Sequence, residues 1–206
     1  MRMLLGGALI LLLTFPLAFA QELTLRREVL DGQSVPHLRF SGPERLQSYL
    51  TMNLPYAPMA ELHKQLQRLD NRLLHTRGEA HITVVSPVEF FDVLKPALVT
   101  IEEVDRIAEA HDIQRARFEV VCLGRSDKKM DHVFESVYYV VVRSEDLLQI
   151  RRAVRELYLA KGGNPGKFLA DDWEPHITLV YTRRDLFRED GAIKDDTSCA
   201  HPLRLL

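Results

Sequence analysis

Two short segments of this chain carry the same reactive side chains in the same order. Glu79-Ala80-His81-Ile82-Thr83-Val84-Val85 and Glu174-Pro175-His176-Ile177-Thr178-Leu179-Val180 agree at five of seven positions, and no other of the 8 His begins a His-apolar-Ser/Thr-apolar run. Both segments are β-formers, and side chains alternate along a strand. His81 and Thr83 therefore share one face, with Ile82 and Val84 on the other. His176 and Thr178 stand in the same way against Ile177 and Leu179. If the two strands come together, two imidazoles and two hydroxyls line one cleft. That set suits in-line displacement at phosphorus: one neutral imidazole takes a proton from attacking water, and a protonated one gives a proton to the leaving oxygen. The hydroxyls donate to the non-bridging oxygens. Two His titrating around neutrality suffice, and no metal or other cofactor is expected.

A lone His on an apolar strand reads as a satisfied core residue, and a lone Thr as a strand former. The doubling argues against that reading here. Glu79 and Glu174 sit two residues before each His and share its face, where they either orient the imidazole or stand solvated at the strand's beginning. A zinc site built from these groups has suitable ligand types but no compact spacing, so no metal site is expected. Tyr56, Phe168 and Trp173 are candidate platforms for an unstacked base, with the core as the alternative place for each. Tyr181 shares the Ile177 and Leu179 face, away from the His side.

The elements that must position these groups can be read along the chain. Gln21 to Phe40 is an irregular lead-in with a short extended piece near Val35 to Phe40, and Gln47 to Leu54 alternates as a strand that Pro55 ends. Met59, Leu62, Leu66, Leu69 and Leu73 have helical spacing, which predicts a helix over Met59 to Leu74. Ala80 to Val85 is a strand, and helical segments follow around Val88 to Leu94 and Ile101 to His111. Arg117 to Leu123 and Phe134 to Arg143 flank the charged stretch Ser126-Asp127-Lys128-Lys129, read as a hairpin turn with a solvated tip. Ser144-Glu145-Asp146 caps a helix that closes in the Lys161 to Lys167 loop. Pro175 to Tyr181 is the last strand, and Asp185 to Asp196 reads as charged loop. This order, with its hairpin, fits an α+β domain better than a wound parallel sheet.

Of the 206 residues, Met1 to Ala20 form a leader by pattern: Arg2, an apolar run from Leu4 to Leu13, and a small-residue cleavage site at Ala18-Phe19-Ala20. The expectation is a signal peptide over residues 1–20 and one domain over 21–206, core about 44–182, secreted or periplasmic, with no membrane segment after cleavage, and monomeric. The balance of 27 Lys+Arg against 29 Asp+Glu excludes a protein that grips long duplex nucleic acid through many phosphates. It leaves a single phosphodiester or a chain end open as partner. Cys122 and Cys199 are the only cysteines, enough for one bridge in an oxidising compartment or for two buried thiols.

The paired motifs His81-Ile82-Thr83 and His176-Ile177-Thr178 resemble those of the 2H phosphoesterase superfamily, which includes the RNA 2′,5′-ligases and cyclic phosphodiesterases. The run from Pro175 to Leu179 on to Tyr181-Thr182-Arg183-Arg184-Asp185 looks most like its RNA-repair-associated "Swiss Army Knife" branch. The resemblance implies a bilobal α+β fold of two antiparallel sheets related by a pseudo-two-fold, helices outside, with one motif per lobe. It also implies metal-free cleavage of 2′,3′-cyclic phosphate RNA ends, 2′,5′ phosphodiesters or cyclic nucleotides, with His81, His176, Thr83 and Thr178 as the catalytic set. Members often add two strands after the second motif. Arg183 to Leu206 leaves little room for them, so a reduced second lobe is expected, and a leader shifts the expected role away from RNA repair in the cytoplasm. The rival readings are a non-catalytic secreted binder of nucleotides or carbohydrate, and a metal-dependent hydrolase.

Overall fold

The computed structural model describes residues 22–206; the expected leader lies outside the described residues. The chain forms β1 (Leu23–Leu25), β2 (Leu50–Asn53), α1 (Tyr56–Gln67), β3 (His81–Val85), the single turn α2 (Pro87–Glu89), α3 (Ile101–Ala110), the hairpin β4 (Glu119–Met130) and β5 (Val133–Arg143), α4 (Glu145–Ala160), β6 (His176–Tyr181), β7 (Cys199–His201) and β8 (Leu203–Leu205). It is a mixed α+β arrangement. Strands β2 and β3 make one antiparallel sheet, the order β6-β5-β4-β7 makes a second, and β1 pairs in parallel with β8. No helix among the described residues is long and apolar enough to cross a membrane.

Local chemistry explains where elements begin and stop. Ser144 and Thr100 each accept the N3 backbone N–H of the helix they start, α4 and α3. Helix α1 buries Met59, Leu62 and Leu66, but it stops at Gln67 rather than running on to Leu74. The Asp70 carboxylate takes both the Arg72 backbone N–H and its guanidinium, an alternative to the helical ladder that turns the chain. Leu69 and Leu73, helical by spacing, are left 42% and 71% exposed.

The hairpin is longer than the sequence suggests. Ser126 to Lys129 are paired strand residues opposite Val137 to Phe134, and the turn is Asp131-His132. Both have positive φ, 46° and 70°, the backbone that a two-residue turn needs to match strand twist. Spacing alone pointed to the more charged tetrad. The lead-in differs as well: its strand is β1, and Val35 to Phe40 contributes only a bridge from Phe40 to Tyr49, whose rings stack at 4.3 Å. After the second motif two strands do follow, each of three residues, so the room was enough for short ones.

Helices α1, α3 and α4 pack with both motif-bearing sheets around a core that includes Ile82, Val84, Ile177 and Leu179, the apolar backs of the two motif strands. Burying a side chain of this size stabilises by roughly 1.5–3 kcal/mol. A second, small cluster lies elsewhere: Val137, Tyr139, Val141 and Cys122 are covered by Leu186 and Ala192. The segment read as charged loop is thus pinned to the sheet by two of its four apolar residues, while Phe187 and Ile193 stay exposed. Its far end is tied down by a disulfide between Cys122 of β4 and Cys199 of β7.

Candidate active site

Strands β3 and β6 belong to different sheets, and four contacts bring them together. The backbone of His75, before β3, pairs both ways with Tyr181 at the end of β6, at 2.8 and 2.9 Å. Trp173, before β6, donates its indole N–H to the Thr83 carbonyl at 3.0 Å. Arg151 of α4, fully buried, donates to the Val84 carbonyl of β3 at 2.6 Å and to the Ala170 carbonyl, in the approach to β6, at 2.8 Å. Arg77 reaches across to Asp185 at 3.2 Å. The Trp173 bond is expected to be worth about 1 kcal/mol. Trp173→Phe, which keeps an aromatic ring and drops the donor, should lower the unfolding free energy by about that much, seen as a lower urea midpoint at unchanged slope; an unchanged midpoint counts against the clamp.

His81 and His176 are both partly buried, and the His81 charge is one of those that act on His176. Their surroundings differ. Nδ1 of His176 is 2.7 Å from the Glu174 carbonyl, which only accepts, so Nδ1 carries the proton. Its Nε2 faces the Lys194 ammonium at 3.3 Å, which only donates, so Nε2 offers its lone pair. His176 is therefore a neutral imidazole. Burial and then the Lys194 charge hold it well below the usual imidazole range, opposed by the Glu174 carbonyl and Asp185. Nδ1 of His81 instead lies 3.6 Å from the Glu79 carboxylate. Burial lowers His81 as well, with Glu79 and Asp185 pulling the other way and Arg77 adding to the lowering.

Thr178 donates to Asp185 at 3.3 Å, and Asp185 also receives Lys194 at 2.9 Å. Phe168 is 1% exposed inside the core against Tyr158, with Arg151 over its ring, and has no free face for a base. Tyr56 begins α1, packs on the core and is within 3.3 Å of the Thr76 hydroxyl. Trp173 is half-buried and held by Thr83 and Arg151. Glu79 and Glu174 both do more than stand in solvent: the first faces His81, and the second accepts the Lys194 backbone N–H at 2.7 Å. Among the described residues no group of three His, Cys, Asp or Glu side chains is gathered to hold a metal ion.

The motif-bearing stretch also matches a family as a whole. Residues 48–187 fit the family model described as Swiss Army Knife, 2H phosphoesterase domain. The chain belongs to the 2H phosphoesterase superfamily. Neither a curated protein nor a solved structure matches it. Membership carries a phosphodiesterase-type hydrolase activity in general terms. In this 2H phosphoesterase, sequence reasoning missed Asp185, Lys194 and Arg77. The first two lay in a stretch read as solvated loop. The available signal was Leu186 and Ala192, two apolar residues that a solvated loop has no use for.

Proposed function

We propose that this 2H phosphoesterase is a metal-independent phosphodiesterase for small nucleotides or RNA ends, acting on 2′,3′-cyclic phosphates or 2′,5′ linkages. His176 is the base and His81 the acid. The observation that carries this reading is the unlike surroundings of the two imidazoles: Nε2 of His176 is unprotonated, with its lone pair turned to the Lys194 ammonium, and a carboxylate stands beside His81. Water attacks phosphorus as its proton passes to Nε2 of His176; a phosphorus–oxygen bond breaks, and the leaving oxygen takes a proton from His81. Thr83 and Thr178 hold non-bridging oxygens. The doubled motif, with one copy on each of two unequal sheets, supports a pseudo-two-fold pair of lobes. The Cys122–Cys199 bridge and the leader pattern support a secreted or periplasmic protein.

The pH profile follows from the two environments. The competent free enzyme has neutral His176 and protonated His81. Burial depresses both, so His176 stays neutral well below the ordinary value of 6.5 and His81 loses its proton below 6.5. The kcat/KM profile is expected to be a bell with its maximum on the acid side of neutrality, its alkaline limb removed by His81→Gln. A plateau without both limbs would sink the two-His scheme.

The substrate class is tested by assaying the mature protein with EDTA on a 2′,3′-cyclic nucleotide and on a 2′,5′-linked dinucleotide. Hydrolysis that resists EDTA and is lost in His81→Ala is expected. Equal inactivity of wild type and variant on both esters would leave a binder instead, and loss on adding EDTA would leave a metal hydrolase.

A further inference from the structure

Lys194 is 4% exposed, an unusual place for an ammonium. Taking such a charge out of water costs several kcal/mol, and burial lowers its proton affinity while Asp185 at 2.9 Å opposes that. A residue needed only to close the segment over the sheet has cheaper forms, because an apolar side chain of similar volume fills such a place without the desolvation cost. The backbone around Lys194 is fixed independently of its side chain. Glu174 accepts its N–H, and the Ile193 carbonyl receives the hydroxyls of Ser126 at 2.8 Å and Tyr139 at 2.7 Å. The ammonium itself lies over the rings of Tyr139 and Phe187, 5.5 and 5.8 Å from their centroids, and 3.3 Å from Nε2 of His176. What is held in place is the ammonium, at the atom that must face the attacking water.

Resting on the base role proposed for His176, we infer that Lys194 is a further catalytic residue, whose ammonium leaves Nε2 of His176 for a non-bridging phosphate oxygen when substrate binds. An ammonium has three N–H donors. Asp185 holds one throughout. A second blocks protonation of Nε2 in the empty site, and the incoming phosphate anion competes for it. The exchange uncovers the lone pair when there is a water to deprotonate, and places a positive charge where the transition state gathers negative charge. No proton or electron leaves Lys194 in the exchange. The groups facing His176 are Lys194, Asp185, His81, the Glu174 carbonyl and the Tyr139 ring; Arg77 faces Asp185 from the other side.

The test uses the mature protein with a 2′,3′-cyclic nucleotide and with both diastereomers of the matching cyclic phosphorothioate, in which sulfur replaces one non-bridging oxygen. Lys194→Met keeps the stem and removes the charge, and Lys194→Met with Asp185→Asn removes both partners so that no charge is buried alone. In both, kcat is expected to fall by about 100-fold with a smaller change in KM. The acid limb of kcat/KM should rise toward the ordinary imidazole value, and the diastereomer preference of wild type should shrink. A purely structural Lys194 would lower the melting temperature and leave kcat, acid limb and preference as they are, and that result would overturn the inference. If neither variant folds, wild type decides: equal rates on the two diastereomers reject a directed contact to one oxygen. A wild type inactive on every ester removes the phosphodiesterase reading and this inference with it, whereas an active wild type equalled by folded variants removes the inference alone.

Discussion

Replacing His176 with Ala is expected to lower kcat by about 10³-fold, and His81→Ala by a similar factor, with the fold intact. Neither imidazole belongs to the apolar core. The backs of their strands, Ile82 and Val84 on one side and Ile177 and Leu179 on the other, are what the core holds. His176 is only partly buried, and on its loss Lys194 keeps Asp185 as its partner, so no buried charge is left alone. The double variant is expected to be barely slower than either single one, because two groups acting in one step do not contribute additively. Steady-state rates with circular dichroism as a folding control settle the matter; unchanged turnover in a folded His176→Ala would refute its role as base.

Removing the disulfide has the largest expected effect on stability. Cys122 and Cys199 are 77 residues apart in sequence, and closing a loop of that length takes about 4 kcal/mol of chain entropy from the unfolded state. Strand β7 is three residues long and lies at the edge of its sheet, so it has little of its own to replace the bridge. The Cys122→Ser, Cys199→Ser double variant should therefore unfold at a clearly lower urea concentration, and dithiothreitol should bring wild type down to the same midpoint. Coincident midpoints for wild type, reduced wild type and variant would show that the bridge constrains nothing. Because Cys199 follows Lys194 by one short turn, the variant should also lose turnover more steeply with temperature than it loses secondary structure.

The sequence made the motif strands legible because their periodicity, composition and repetition agree. Helix α4 and the cap at Ser144 were legible for the same reason, and so was the general α+β order. What was hidden depended on contacts far apart in the chain. The end of α1 is decided by Asp70 capturing Arg72, which competes with a helical spacing that Leu69 and Leu73 continue. The hairpin turn is decided by backbone sign at Asp131 and His132, where neither residue is glycine. Phe168 became core because Tyr158 and Arg151 enclose it, a fact absent from its neighbours in sequence. Lys194 and Asp185 looked like two more charges in a charged stretch, and only tertiary folding makes them partners of His176 and Thr178.

The strap from Asp185 to Cys199 also sets when in its own synthesis the protein can become active. His81, Thr83 and the hairpin precede Asp185 and Lys194 in the chain, and the bridge that fastens the strap joins Cys199, which follows both, to Cys122. A growing chain has its first motif long before it has a working groove.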